Sequence, residues 1–395
     1  MKMRFILIII AVFILTACEK DGKLQLHMVE LGNPEIISFE PQSGKPGTVV
    51  HISGNNFSDQ PANIAVAIGD WHAIVNTHAM HDLYIVVPDP SITSIGNISV
   101  EVNGKSTVSA TGFTILTPWS HRARFPGSTN FINQTFVLNG RGYLIEPYTS
   151  QGGIVINALW EYDPDQDVWS RKADMPGGAR YSHTDFTLGN KAYVGLGYGE
   201  NANPGGYFND FWVYAPDSDS WTRVADYPGE RKSNALSFPV DGKGYVTGGN
   251  TDSYIYSMEL WEYDPVPDSW LRKNDLPFPL SNDIELANTT YLSDYEGNIY
   301  NFNPDQESFI KITSNASLVS FNWLAVDGSI YFFEELPVKG SWIYDCLSTA
   351  WSVQAGPFPF TNYQGTLNFS GDTVGFCIDL QANGDMYGFT PGNFK

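Results

Sequence analysis

Six short turns along the chain carry the residues best equipped to bind something. They read Thr129-Asn130, Ser182-His183, Ser233-Asn234, Ser281-Asn282, Phe321-Asn322 and Thr361-Asn362, a small hydroxyl followed by Asn or His in all but the fifth. An amide or imidazole beside a hydroxyl offers donors and acceptors together, as a polar ligand such as a sugar requires. The same groups also suit a structural role, because buried polar atoms must find partners and can find them in one another or in water. Three nearby segments, "EPYTSQGGIVINA", "GYGENANPGGYFND" and "GNTDSYIYSM", add Tyr148, Tyr198, Tyr207, Phe208, Tyr254 and Tyr256 beside Asn201, Asn203 and Asp252. Aromatic faces next to amides stack on sugar C–H surfaces, anchor protein partners, or pack on their own scaffold.

Histidine chemistry is less well supported. His51, His72, His78 and His81 lie early in the chain, and His78-Ala-Met-His81 sets two imidazoles three residues apart. On an extended segment that spacing points them to opposite faces, and no cysteine or acidic cluster completes a ligand set, so no metal and no cofactor is expected.

Composition indicates the scaffold that must position these residues. With 14% aromatic residues, 37 Gly and 24 Pro in 395 residues, strands and turns are favoured and the expected class is all-β. The stretch "LWEYDPDQDVWSRKADMPGGAR" recurs as "FWVYAPDSDSWTRVADYPGER" and "LWEYDPVPDSWLRKNDLP", with Trp169, Trp221 and Trp270 spaced by 52 and 49 residues. Weaker copies follow at Phe309 and Trp351. Each copy is preceded by an aromatic strand, centred on Tyr162, Tyr214, Tyr263, Tyr300 and Tyr344, and before that by a Gly-Tyr-type strand at Tyr143, Tyr193, Tyr245, Tyr291 and Tyr331. Such a period marks units that bury their apolar faces only by stacking on copies of themselves. A sixth unit begins within residues 364–391 but lacks its Trp strand, and "TPWSHRARFPG" (117–127) is a last strand with no earlier strands before it. Trp119 would complete the sixth unit and close a ring without exposed sheet edges. In that ring the six polar turns begin the innermost strands on the face that also carries the long aromatic loops.

The Gly-Tyr pairs, the aromatic-x-Tyr-Asp strands, the following Trp and the Met-Pro or Tyr-Pro turns leading to Arg180 and Arg231 resemble kelch repeats, the blades of a β-propeller; a clean diglycine occurs at Gly248-Gly249. The resemblance implies a six-bladed propeller over 117–395. Residues 34–116, opening "PEIISFEPQSGKPGTVVHISGNNF", resemble an IPT/TIG domain through Pro41, Gly44, Gly47, Val49, Ile52, Gly54, Asn56 and Phe57. That family is immunoglobulin-like, and here it implies a spacer. Among kelch-like enzymes, copper oxidases of the galactose oxidase type need two His ligands and a Tyr cross-linked to Cys. This propeller has only His121 and His183, with no suitable Cys. Bacterial N-acetylneuraminate epimerases need a carboxylate base and a cation over the central pocket; Glu200, Glu230, Arg180 and Arg231 lie near the corresponding loops, without a residue-by-residue match.

Met1 to Leu15 reads as a basic n-region followed by an uncharged apolar run, and Leu15-Thr16-Ala17-Cys18 resembles the lipobox of bacterial lipoproteins. The resemblance implies a signal peptide at 1–17, lipidation of Cys18 and a tethered linker at 18–33. Glu19 in place of Asp implies an outer-membrane address in the cell envelope. After residue 17 the chain holds 20 basic and 43 acidic residues, a net charge of −23 that excludes nucleic acid as the expected partner. Cys346 and Cys377 fall in neighbouring units, where two buried strand thiols are expected rather than a bridge.

The expected protein is thus a non-catalytic envelope lipoprotein, held to the membrane by its lipid anchor only, that binds a glycan or an envelope protein. A glycan is the first choice, by analogy with lipoproteins that pair immunoglobulin-like spacers with carbohydrate-binding domains. A sugar epimerase or mutarotase and a protein-docking scaffold are the alternatives. The candidate ligand-binding residues are Asn130, Arg180, His183, Tyr198, Tyr207, Arg231, Asn234, Tyr254, Asn282, Asn322 and Asn362.

Overall fold

The structure, a computed structural model, describes residues 15–20, 23–28, 32–90, 92–129, 134–149, 155–199, 206–251, 256–286, 289–315, 322–334, 340–355, 366–370, 373–379 and 384–393. It divides into two compact units, Met1–Thr117 and Pro118–Lys395. No helix among the described residues is long and apolar enough to cross a membrane.

In the first unit, Leu15–Lys20 and Lys23–Met28 pair antiparallel with Cys18 opposite Gln25, within the segments read as leader and linker. The sandwich follows. Its hydrogen-bonded order is Glu35–Glu40, Val49–Asn55, Asp82–Val86, Trp71–His78, Ile64–Ile68, Ser94–Val102, Lys105–Ile115 and Ser43–Gly44. The ladder folds over so that Lys105–Ile115 packs back on Glu35–Glu40. Strand alternation sends Val50, Ile52, Leu83, Ile85, Val66, Ile68, Ile98 and Val100 into one core. Gly54 is needed where it stands: a Cβ there would lie 2.0 Å from the Glu35 carbonyl oxygen and 2.4 Å from the Phe57 ring.

The second unit is a ring of six four-stranded antiparallel sheets. The innermost strands are Thr135–Leu138, Thr184–Leu188, Lys232–Val240, Leu280–Leu286, Asn322–Val326 and Thr366–Ser370, for blades one to six. The outer strands of blades one to five are Val168–Arg171, Ser220–Val224, Ser269–Arg272, Ser308–Ser314 and Ala350–Ala355. Blade six takes its outer strand, Trp119–Arg122, from the start of the unit, with Trp119 opposite Phe389 and Arg122 opposite Met386. The ring closes as the repeat count predicts, and Trp119 is fully buried at the junction against Phe333 and Phe389.

The repeated sentence is a latch between blades. Tyr162, Tyr214 and Tyr263 are each at most 1% exposed, and each hydroxyl donates to an acid five residues on, Asp167, Asp219 or Asp268, at 2.6–2.8 Å. Those acids adopt left-handed φ values of 44–53° to make the turn. Each also accepts the backbone N–H of the preceding blade's alanine, Ala123, Ala173 or Ala225. The next-but-one residue, Trp169, Trp221 or Trp270, donates its indole N–H to the carbonyl of the same alanine at 2.9 Å. Burying a tyrosine ring contributes about 2–3 kcal/mol only if its hydroxyl keeps a partner, and the acid supplies it. The apolar clusters accordingly lie between blades: Tyr143 and Ile145 meet Val194 and Tyr214, and Phe186 and Val246 meet Tyr263.

Cys346 and Cys377 are free thiols. Cys377 is buried in a strand as expected. Cys346 corrects the reading: it is half-buried in the turn after Gly340–Asp345, because the strand ends at Asp345, whose carboxylate accepts the turn amides of Leu347 and Ser348. Burial raises both thiols, Cys377 well above the ordinary value.

Candidate ligand-binding site at the channel mouth

The innermost strands alternate between two environments. Phe186 and Leu188 pack between blades two and three, and Ile284 and Leu286 between blades four and five. Alternation therefore sends Asp185 and Thr187 to the other face of the first strand, and Asp283 and Glu285 to that of the second. Ladder register puts Asp185 opposite Val194 and Asp283 opposite Leu292, in each case the residue after the tyrosine that recurs from blade to blade, Tyr193 or Tyr291. The two aspartates thus occupy the same level of the ring, two blades apart. Ser237 holds that level in blade three, opposite Val246. Its hydroxyl accepts from Thr184 Oγ1 at 2.7 Å and donates to the Asp185 carbonyl, clasping the two blades.

Asp185 senses the Asp283 charge. Burial, then the Asp283 charge, raises Asp185 well above the ordinary aspartate value. Burial, then the Glu285 charge, pushes Asp283 up to about 7, and burial raises Glu285 as well. Yet Asp185 and Asp283 are only half-buried and Glu285 is exposed, so these carboxyls are reached by water while ringed by protein, as in a narrow channel. At its mouth, His183 is 2% exposed and neither ring nitrogen has a hydrogen-bond partner. Its Nε2 lies 3.8 Å from Asp185 Oδ2. Burial, helped by the Arg180 charge, lowers His183 to about 3, so the imidazole is neutral with one nitrogen an open acceptor.

The predicted crown is corrected by the register. His183 precedes the innermost strand of blade two, whereas Asn234 matches the level of Ser182, and its backbone N–H donates to the Ser182 backbone carbonyl at 2.9 Å. Both residues are left-handed, at φ 52° and 55°. Asn282, opposite Ser293, and Asn322, opposite Phe333, stand at the level of Thr184, opposite Gly195. A bulge between Leu280 and Asn282 shifts blade four. The polar turns among the described residues therefore stand on a staircase of three levels. Asn234 is exposed and Asn282 half-buried. Asn130, Tyr254 and Asn362 lie outside the described residues, as does the side chain of Asn322.

Arg180 is a second correction. Its guanidinium is fully buried and bidentate to Asp210, at 2.6 and 2.9 Å, with further bonds to the Gly178 and Leu196 carbonyls and the Phe208 ring 3.9 Å away. Burial opposes ionisation of Asp210, but the Arg180 bonds and charge outweigh it and hold Asp210 below its usual value. This guanidinium clamps the loop to the blade: four of its five N–H donors are spent on Asp210 and the two carbonyls, and its side chain is fully buried. Arg231 is half-buried and engaged with its surroundings. Tyr207 is buried and meets Tyr198 edge-on at 5.1 Å; Tyr198, half-buried, also lies 5.4 Å from Tyr181. Of this pair Tyr198 is the more accessible. Tyr256 donates to the Leu280 carbonyl at 2.7 Å and packs on its own scaffold. In the sandwich His51 bonds Asp82, His78 the Asp59 carbonyl and His81 the Gly54 carbonyl, separately.

Sequence reasoning did not pick out Asp185, Asp283 and Glu285. The available signal was a carboxylate within three residues of a polar turn, on a strand whose alternate residues are apolar.

With this geometry the protein joins an immunoglobulin-like domain to a six-bladed propeller. Residues 34–115 match the family model described as IPT/TIG domain, and the first unit's sandwich is that domain. Over 82 residues the chain is 33% identical to N-acetylneuraminate epimerase of Escherichia coli strain K12, a stretch covering 20% of this chain and 22% of that protein. The same identity and coverage hold for N-acetylneuraminate epimerase of Shigella flexneri. The chain thus spans about a fifth of the curated relatives it matches. Among solved structures, an auxiliary nutrient binding protein from Bacteroides thetaiotaomicron VPI-5482 superposes with a TM-score of 0.49 at 11% identity, over 90% of this chain and 97% of that one. Another from Bacteroides ovatus ATCC 8483 gives 0.45 at 13%, over 91% and 98%.

Proposed function

We propose that the protein is a lipid-anchored envelope protein that binds a glycan at the channel mouth without transforming it. The observation that carries this reading is His183, whose two buried ring nitrogens have no partner and whose Nε2 faces Asp185 at 3.8 Å. A buried polar group left unpaired costs about 1–3 kcal/mol, and a ligand hydroxyl would recover it. Asp185 and Asp283 supply further acceptors, and Tyr198 a face for a sugar ring. Cys18, in its lipobox-like setting, would tether the chain to the outer membrane. The test is a glycan array probed with the full chain and with His183→Ala and Tyr198→Ala. Saturable binding weakened in both variants supports the reading; silence on the array, with a stable co-purifying envelope protein, replaces it with docking.

One observation favours an epimerase or mutarotase. A carboxyl near 7, as at Asp283, is poised to abstract a proton at neutral pH. Against it, Arg180, one of the two cations read as stabilising such a reaction, is spent on Asp210. Turnover of a reducing sugar that is lost in Asp283→Asn would establish the enzymatic reading.

A further inference from the structure

Resting on the channel mouth as the binding site, the next question is which chemical group it takes. Asp185, Asp283 and Glu285 bring three carboxyls to one channel, and among the described residues none has a lysine or arginine within ion-pair distance. The two buried cations of the neighbouring blades are committed elsewhere. Arg180 is neutralised by Asp210, and Lys232 donates to Ser257 Oγ at 2.8 Å with Glu259 3.8 Å away. Carboxyls gathered without a counter-ion leave a negative potential that a low-dielectric channel focuses rather than screens.

The unpartnered imidazole is an independent pointer to what fills that potential. A neutral His183 offers a lone pair, which accepts from an N–H as readily as from an O–H. An ammonium has three donors and no acceptor, so it can satisfy an imidazole nitrogen and the neighbouring carboxylate at once, with a donor to spare.

We propose that the channel recognises a primary ammonium group, held by His183 and Asp185 within the field of Asp283, and that the preferred glycan is an amino sugar with a free amine. Acetylating that amine removes the charge and two of its three donors while adding bulk in a narrow channel. Discrimination therefore follows from the loss of charge-assisted bonds in a partly desolvated setting.

The experiment is calorimetric titration of the full chain in detergent with three probes: a glucosamine trimer, its N-acetylated counterpart, and spermidine, an amine that is not a sugar. The expected result is glucosamine-trimer binding at least tenfold tighter than that of the acetylated trimer, weakened at least tenfold in Asp185→Asn/Asp283→Asn. Asparagine keeps the shape of each carboxyl, and a folded double variant is checked by its far-ultraviolet circular dichroism. If that variant unfolds, His183→Ala serves, with the same loss expected. Spermidine binding lost in the variant, without binding of either trimer, upholds the ammonium site and overturns the glycan reading. Equal or stronger binding of the acetylated trimer overturns the ammonium site and leaves the glycan reading standing. Binding of no probe, or binding unchanged in the variants, also overturns the ammonium site.

Discussion

Replacing Asp283 with asparagine should stabilise the protein above neutral pH and leave it unchanged in acid. The Asp283 carboxyl rises from 3.8 to about 7 on folding because burial and the Glu285 charge disfavour its ionised form. A raised acid binds its proton more tightly in the folded state. Its contribution to stability is thus fully present below about pH 4 and is lost as the pH rises through about 7. A rise of that size corresponds to about 4 kcal/mol at full effect. Channel water reaches the half-buried carboxyl, so screening reduces the expected penalty to about 2–4 kcal/mol at pH 8. Asparagine has the same shape and no charge. Urea unfolding of both proteins from pH 4 to pH 9 should give coincident midpoints at the acid end and a variant more stable by about that amount at pH 8. A variant equally stable or less stable at pH 8 would refute the placement of Asp283 in a channel that resists its charge.

Other outcomes follow from the latches and clamps. Trp270→Phe keeps an aromatic ring but loses the bond to the Ala225 carbonyl and part of the ring volume packed on Phe211 and Tyr263, and urea unfolding should register a loss of about 1–3 kcal/mol. Arg180→Ala strands the Asp210 carboxylate beside Trp212 inside the blade, and thermal unfolding should show a loss of about 3–5 kcal/mol, partly recovered in Arg180→Ala/Asp210→Ala. Cys18→Ala should move the protein from the membrane fraction to the soluble envelope fraction, followed by immunoblotting; unchanged membrane association would remove lipidation at Cys18 from the account.

The blade count was legible because the repeated residues each perform one task in the same place. The tyrosine hydroxyl bonds the acid five residues on, the acid accepts from the preceding alanine's N–H, and the following Trp donates to that alanine's carbonyl, so changing any one of the three breaks the latch. The closing strand was legible for the same reason, since Trp119 had no earlier strands to belong to. In the sandwich, the strand Trp71–His78 was not singled out: its side chains are half-buried or exposed, so it carries little of the alternation that marked its neighbours. The crown was read at the wrong level because residue spacing does not report a bulge at Leu280–Asn282 or a left-handed turn at Ser182. Asp185 and Asp283 escaped because a charged residue alternating with apolar ones reads as a solvent face, and only ring closure turns that face into a channel. Arg180 was legible as important but not as structural, since its partner Asp210 lies 30 residues away across the loop.

The most direct test of the central claim is a crystal structure of the protein with the tightest-binding oligosaccharide from the array. The account predicts sugar density at the channel mouth, with a polar group of the ligand within hydrogen-bond distance of His183 Nε2 or Nδ1 and of an Asp185 or Asp283 carboxyl oxygen. Density confined to the outer edges of the blades or to the IPT/TIG domain, with His183 still unpartnered, would contradict it.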